Sequence, residues 1–200
     1  MKCDVCLHSG VYTCYVLTPP AHIVPTELLC AVNNPATRDA SFAEFYDALS
    51  RHVYMYALRM TSNELDASDV TQETFIRVHA HLVRGNTIVD PLPFCLMIAR
   101  QRVINMHRDR KVTVELDEQH STVDPYIDIE REDIREHVEH AVARLPVLLR
   151  DAFVLRYYDG LSYETIATMI SESAGTVRMR VHRAKAILRQ SLAHLVREKS

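Results

Sequence analysis

Residues 162–188, SYETIATMISESAGTVRMRVHRAKAIL, decide the fold of this chain. Ile166 and Ile170 are spaced i, i+4. After a short polar break, a second apolar series continues at i, i+4, i+7 and i+11: Val177, Val181, Ala184 and Leu188. Both series have the helical period. Ser162 and Ser173 stand where helix N-caps belong. Two short helices joined this tightly predict a helix-turn-helix.

The second of these helices is strongly basic. Between Gly175 and Gln190 there are five basic residues and no acidic one. Four polar or basic positions form one stripe beside the apolar stripe: Arg178, His182, Lys185 and Arg189. A helix in the DNA major groove needs this arrangement, because some side chains bond to base edges while others neutralise phosphates. A solvated basic face on a packing helix is the alternative. The missing acids, the preceding helix and the capped turn together favour DNA.

The whole chain has the composition of an all-α protein. It has 200 residues, of which 48% are hydrophobic, with four glycines and no tryptophan, and its apolar periods are mostly helical. The net charge of −3 hides a strong asymmetry. Residues 97–111 hold five bases and one acid, residues 112–143 ten acids and two bases, and residues 144–200 ten bases and five acids. Two basic patches separated by an acidic connector predict two small helical domains joined by an acidic linker.

The predicted boundaries are an N-terminal extension at 1–38, a first helical domain at 39–111, the linker at 112–131 and a second helical domain at 132–200. The extension contains Cys3 and Cys6, a C-x-x-C pair that is half of a zinc or redox site, and four prolines. A flexible extension with incidental cysteines is the preferred interpretation, and a metal- or thiol-responsive arm is the alternative. No cofactor is expected.

No run of residues approaches the roughly 20 apolar residues of a membrane span. The N-terminus lacks the basic-then-apolar layout of a secretory signal. We therefore expect a cytoplasmic protein without membrane insertion.

Two helices of the first domain carry candidate binding residues. Asp69, Gln72 and Glu73 share an exposed side of a helix over residues 66–82, and composition alone favours a merely solvated face. A further helix over residues 94–110, after a loop at 84–92, places Gln101, Asn105 and Arg108 on one face. Amide and guanidinium groups suit base edges, although an amphipathic core helix has the same pattern.

Four segments in this order resemble the short, two-domain bacterial sigma factors of the extracytoplasmic-function (ECF) group. DASDVTQETFIRV is similar to the family's region 2 helix, and FCLMIARQRVINMHRDR to the helix that follows it. LPVLLRDAFVLRYYDGLSYETIA and GTVRMRVHRAKAILR resemble region 4. The resemblance covers about residues 40–195. It implies a protein that is not an enzyme and that brings core RNA polymerase to promoters, under the control of an anti-sigma factor.

The resemblance also implies roles for particular residues. Asp69, Gln72 and Glu73 match the helix that docks on the clamp of the polymerase's largest subunit, and region 4 would contact the flap. The loop at 84–92 falls where the family holds an everted base. The −10 element would be bound as an opened strand by Phe94, Gln101, Asn105 and Arg108. The −35 duplex would be bound by Ser173, Thr176, Arg178, Met179, His182 and Arg183. Phosphate contacts fall to Arg100, Arg110, Lys111 and Lys185.

Four positions depart from the family's pattern. Phe94 replaces the usual tryptophan, Gln101 an asparagine, Asn105 the common aspartate, and Met179 a small hydroxyl residue. A promoter sequence therefore cannot be borrowed from a better-known member. A transcriptional regulator with a LuxR-like helix-turn-helix is the rival class. It would need neither of the two helices of the first domain that carry candidate binding residues.

Overall fold

The computed structural model describes residues 24–114 and 134–193, with the side chains of 24–109 and 136–193. Within these ranges the chain forms helices only: α1 (Thr26–Asn33), α2 (Arg38–Thr61), α3 (Glu64–Val83), α4 (Pro91–Val114), α5 (Ile134–Ala143), α6 (Val147–Tyr157), α7 (Tyr163–Ile170) and α8 (Ala174–Ser191). The all-α prediction is confirmed. Cys3, Cys6, the side chains of Arg110 and Lys111, and linker residues 115–131 lie outside the described residues.

Helix α2 is the centre of the first unit, with α1, α3 and α4 packed around it. Its buried side chains recur at helical spacing and end at Met60. The core that they share with α3 and α4 consists of large apolar groups, which supply most of the stabilisation by leaving water. These are Phe45, Leu49, Val53, Tyr56, Val70, Phe75, Val78, Leu82, Leu96 and Val103.

The ends of the helices follow from local side-chain chemistry. The Oδ1 atom of Asn63 accepts the backbone N–H of Asp66 at 3.0 Å and caps α3. Ser162 Oγ accepts the N–H of Thr165 at 2.9 Å, and Ser173 Oγ accepts the N–H of Thr176 at 3.0 Å. Each serine satisfies a backbone donor that has no partner within its helix. The two N-caps predicted for the helix-turn-helix are therefore confirmed.

Helices α5 to α8 form the second unit. Pro146 precedes α6, where a proline costs no helical hydrogen bond. Helix α6 packs against α8, and α7 lies across both. Their shared core includes Leu155 from α6, Ile166 from α7, and the predicted apolar stripe of α8: Val177, Val181, Ala184 and Leu188.

Two boundaries differ from the prediction. Part of the expected flexible extension is helix α1, which lies on α2 and buries Leu28 and Val32, while Val24 just before it is also buried. Pro25 does not interrupt this helix, because it stands immediately before the first turn, where a proline is tolerated. Helix α4 also runs three residues into the expected linker, since neither glycine nor proline is present to end it near Arg110.

The two units are packed against each other. Helix α2 contacts α5 and α6, and α4 contacts α7. The helices that carry the predicted −10 and −35 residues therefore belong to one closed arrangement of the molecule.

Candidate nucleic-acid interface

Helix α8 presents its basic face to solvent. The buried stripe fixes its rotation against α6 and α7, so the opposite side must face outward. Ser173, Arg178, Met179, His182 and Arg183 are exposed, and Thr176 is half-buried. Met179 is 52% exposed, which is unusual for an apolar side chain and suits contact with a base edge or a thymine methyl group. Apart from the capping serine, the predicted −35 residues thus lie on one face of α8, within its first ten residues.

Two arginines of α8 form ion pairs with neighbouring elements. Arg178 Nη2 lies 2.7 Å from Glu164 Oε1 on α7, and its guanidinium lies 5.4 Å from the Tyr163 ring centroid. Arg180 pairs with Glu172 in the turn at 2.7 Å. Exposed pairs contribute little to stability, so Arg178 can exchange Glu164 for DNA. Arg180 is more enclosed and joins α8 to the turn, a role that its place in a basic run did not reveal.

Lys185 lies further along α8. Its Nζ atom is 5.7 Å from the ring centroid of Tyr157 on α6, close enough for a cation–π contact. The lysine is half-buried, so its stem packs while its charge remains near the surface. This position is compatible with the predicted phosphate contact.

Helix α4 carries a second polar surface. Gln101 Nε2 donates to Asn105 Oδ1 at 3.2 Å, so the two amides lie side by side. This bond leaves further donor and acceptor capacity on both amides for a base. Phe94 is half-buried, with its ring centroid 4.7 Å from that of His81. Arg108 is exposed and pairs with Asp109 at 3.6 Å. The structure thus brings Gln101 and Asn105 together, with Phe94 and Arg108 toward opposite ends of the helix.

Arg100 has a different environment from Lys185, the other predicted phosphate contact whose side chain the structure describes. Its Nε atom lies 2.7 Å from Asp151 Oδ2 on α6, and its side chain is only 16% exposed. In this arrangement the guanidinium is bound to a protein carboxylate and is not presented to solvent.

Two hydrogen bonds from α1 hold the loop between α3 and α4 in place. Asn33 at the end of α1 donates from Nδ2 to the Ile88 carbonyl at 2.9 Å, and its Oδ1 accepts the Ile88 N–H at 2.8 Å. Ile88 is buried, whereas its neighbour Val89 is 86% exposed. Gly85 has a φ of +84°, which favours glycine. Asn33 was not predicted as a functional residue, because a separation of 55 positions hides this contact from local patterns.

A different surface lies on α3. Asp69 and Gln72 are exposed, and two apolar residues share their side of the helix at i, i+4, i+7 and i+11. These are Leu65, 78% exposed, and Ile76, 68% exposed. We call Leu65, Asp69, Gln72 and Ile76 the α3 face. Exposed apolar groups rimmed by polar ones are typical of protein interaction sites. Leu65 and Ile76 could have been found from the sequence, since they fall outside the buried stripe of α3.

Glu73 points toward α4. It binds Arg77 of its own helix, and its Oε2 atom lies 2.6 Å from Arg102 Nε. The predicted polymerase contact of Glu73 would therefore have to share that carboxylate with two arginines.

Among residues 24–109 and 136–193, no group of three or more histidine, cysteine or acidic side chains could hold a metal ion. In the same part of the chain no helix is long and apolar enough to cross a membrane.

Two helical units with exposed polar and basic helix faces define a two-domain helical DNA-binding protein. Residues 45–113 match the family model of sigma-70 region 2, and residues 135–188 match that of sigma-70 region 4. The chain is 30% identical over 176 residues to the ECF RNA polymerase sigma factor SigL of Mycobacterium tuberculosis, covering 84% of this chain and 98% of SigL. The chain belongs to the ECF group of the sigma-70 family.

Two further sigma factors are also similar to this chain. The RNA polymerase sigma-H factor of Pseudomonas aeruginosa is 33% identical over 155 residues, covering 70% of this chain and 80% of that protein. The ECF sigma factor SigE of Mycolicibacterium smegmatis is 33% identical over 181 residues, covering 79% of this chain but 65% of SigE.

Solved structures show the same fold. One comes from the co-crystal structure of the sigma factor RpoE with the anti-sigma factor NepR from Bartonella quintana. Its TM-score is 0.64 at 21% identity, over 76% of this chain and 96% of the matched chain. Another comes from the structure of CnrH with the cytosolic domain of CnrY. Its TM-score is 0.60 at 20% identity, over 84% of this chain and 96% of the matched chain.

Proposed function

We propose that this chain directs core RNA polymerase to promoters by binding the −35 duplex with α8 and the opened −10 strand with α4. The exposed face of α8 carries the proposal, because buried residues fix the orientation of the helix and leave Arg178, His182 and Arg183 facing outward. These side chains can reach base edges and phosphates in a major groove. The protein acts as an initiation factor and not as an enzyme, in the cytoplasm, where RNA polymerase works.

The −10 strand is bound through unpaired bases. The adjacent amides of Gln101 and Asn105 supply donors and acceptors for a base edge, and Phe94 supplies an aromatic anchor in the same helix. Unstacking a base costs a few kcal/mol, which edge hydrogen bonds and packing must offset. Val89, exposed beside the buried Ile88, extends this surface into the loop before α4.

Core polymerase docks on the α3 face. Ile76 and Leu65 provide apolar contact area, and Asp69 and Gln72 provide the polar rim of the same patch. An anti-sigma factor controls access to these surfaces, a proposal that the RpoE–NepR complex supports by its similar fold. We expect to find a protein that co-purifies with the chain and suppresses the transcription that the chain supports.

Transcription itself tests the proposal. Start sites mapped after induced expression should share upstream −35 and −10 sequences. One recovered fragment, with purified core polymerase, should give run-off transcripts only when this chain is added. Arg178→Ala should weaken promoter binding about 10- to 100-fold, as expected for a base-edge contact. Arg144→Ala removes the same charge from an exposed turn and serves as the control. Transcripts that do not depend on the chain would contradict the proposal.

A further inference from the structure

Met179 is an apolar side chain of helix α8 that faces away from the core. It is 52% exposed, whereas Val177 and Val181, two positions before and after it, are buried. A helix turns by about 100° per residue, so Met179 lies roughly 140–180° around α8 from every residue of the buried stripe: Val177, Val181, Ala184 and Leu188. It therefore occupies the centre of the solvent-facing side of α8.

The neighbours of Met179 on this side are polar or basic. Thr176 and Arg183 lie within about 60° of it in one direction around the helix, and His182 lies about 60° from it in the other. His182 and Arg183 are both exposed. The other exposed large apolar side chain of α8 is Ile187, about two turns further along. Met179 is thus a single large apolar group among groups that donate hydrogen bonds or carry charge.

This setting favours a nucleic-acid contact over a protein contact for Met179. Protein interaction sites bring several exposed apolar side chains together, as Leu65 and Ile76 do on the α3 face. Helix α8 instead presents one methionine among side chains that suit base edges and phosphates. When such a helix lies in a major groove, the side chains at the centre of its outer side face the base edges.

The major groove offers Met179 one apolar partner. Each base pair presents ring nitrogens, carbonyl oxygens or amino groups there, and thymine adds its C5-methyl group. A thioether is only a weak hydrogen-bond acceptor, so Met179 gains little from the polar groups of the bases. Its unbranched side chain can adjust its reach and exclude water from a methyl group. Thymine is therefore the base that Met179 distinguishes best from the other three.

We propose that Met179 is a specificity-determining residue that selects a thymine of the −35 element by packing against its methyl group. The inference rests on the proposed function, because α8 has to lie in the duplex for this contact to form. Arg178, His182 and Arg183 supply hydrogen bonds and charge around the contact. Met179 supplies the preference for thymine at one base pair.

Removing the thymine methyl group alone tests the proposal. Each thymine of the −35 element in the recovered promoter fragment, on both strands, is replaced in turn by deoxyuridine, which pairs identically but lacks the methyl group. For the full-length chain with core polymerase, one replacement should weaken binding about fourfold, as expected for one buried methyl group. The same replacement should not affect binding by Met179→Ser. If that pair is changed to cytosine–guanine, 5-methylcytosine should bind about fourfold more tightly than cytosine.

Two further variants separate the methyl contact from a change in folding. Met179→Leu keeps an apolar side chain and should stay sensitive to deoxyuridine at the same position. Ile187→Ala shortens the other exposed large apolar side chain of α8 and should also keep the wild-type sensitivity. Each comparison is made between two fragments bound by the same variant, so a difference in stability between variants cancels.

The possible results distinguish this inference from the proposed function. If the wild-type chain binds the thymine and deoxyuridine fragments equally at every −35 position, or if the element contains no thymine, the role of Met179 is overturned and the proposed function stands. Weaker binding of every fragment by Met179→Ser, with the wild-type sensitivity to deoxyuridine retained, would assign Met179 to a polymerase contact and also overturn the inference. Fragments that core polymerase binds equally well without the chain would refute the proposed function itself.

Discussion

Asp159 should make the stability of this protein fall as the pH rises. The residue follows α6, is 4% exposed, and its Oδ2 atom has no hydrogen-bond partner among the described residues. Its pKa is raised from 3.8 to about 8, chiefly by burial; Arg59 opposes this shift and nearby Asp151 adds to it. Near pH 7 the carboxyl is therefore protonated in the folded protein and ionised in the unfolded chain.

This difference in protonation sets the direction and the size of the pH effect on the free energy of unfolding. Between about pH 4 and pH 8 the folded state binds one more proton than the unfolded state, so the free energy of unfolding falls as the pH increases. The contribution is fully present below pH 3.8 and is lost as the pH rises through the folded-state pKa of about 8. At about 1.4 kcal/mol per pH unit, the loss between pH 5 and pH 8 is about 3–4 kcal/mol. This is a large fraction of a typical domain stability.

Asp159→Asn isolates the effect, because the amide resembles the protonated acid in size and cannot ionise. Urea unfolding, followed by circular dichroism at pH 5, 6, 7 and 8, should show the variant gaining about 3–4 kcal/mol relative to the wild type across this range. Taking the difference cancels the histidines and carboxylates that both chains share. Parallel pH profiles for the two chains would show that Asp159 is hydrated in solution and would refute the reasoning.

Three further predictions concern the binding surfaces and their support. Ile76→Glu should weaken binding to core polymerase at least tenfold in a competition assay without lowering the melting temperature, whereas Leu148→Glu, an exposed apolar control on α6, should bind normally. Asn33→Ala should cost about 1–2 kcal/mol in urea unfolding and reduce the preference for a matched over a scrambled −10 fragment, because Ile88 loses both hydrogen bonds; an unchanged preference would contradict the supporting role. Ser173→Ala should cost about 1 kcal/mol by thermal unfolding, against no change for the exposed Ser191→Ala, since the cap of α8 is lost.

The parts of the fold that depend on local chemistry could be predicted from the sequence. The helix-turn-helix follows from apolar residues that recur every three or four positions and from two serine caps. Each cap bonds to a residue only three positions further along the chain. Helix α1 does not follow from the proline content of residues 1–38, because Pro25 lies just before the helix that buries Leu28 and Val32 and does not interrupt it. Helical spacing places Gln101, Asn105 and Arg178 on polar helix faces. The −10 and −35 roles come from the family resemblance and stay predictions. Neither helical spacing nor the family resemblance indicates which side chains remain exposed to solvent once the two units pack together.

The carboxylate of Asp151, which contacts Tyr56 and Arg100 of the other unit, shows why sequence reasoning misses such contacts. Tyr56 and Asp151 are 95 residues apart, and each fits an ordinary helical pattern in its own unit. The tyrosine counts as a core aromatic and the aspartate as a charge on a helix. Only the tertiary structure places the hydroxyl against the carboxylate.

The chemistry of Arg100 explains why this interface is polar. A side chain that binds phosphate must carry a permanent charge, and that charge cannot be buried in the closed arrangement without a partner. Replacing Asp151 with leucine would leave the Arg100 guanidinium buried and unpaired, which is strongly destabilising. Replacing Arg100 with an apolar residue would instead remove the group for which the family resemblance predicts a phosphate contact. A carboxylate at position 151, with Tyr56 satisfying its other oxygen, meets both requirements, because it neutralises the Arg100 guanidinium where the two units pack together.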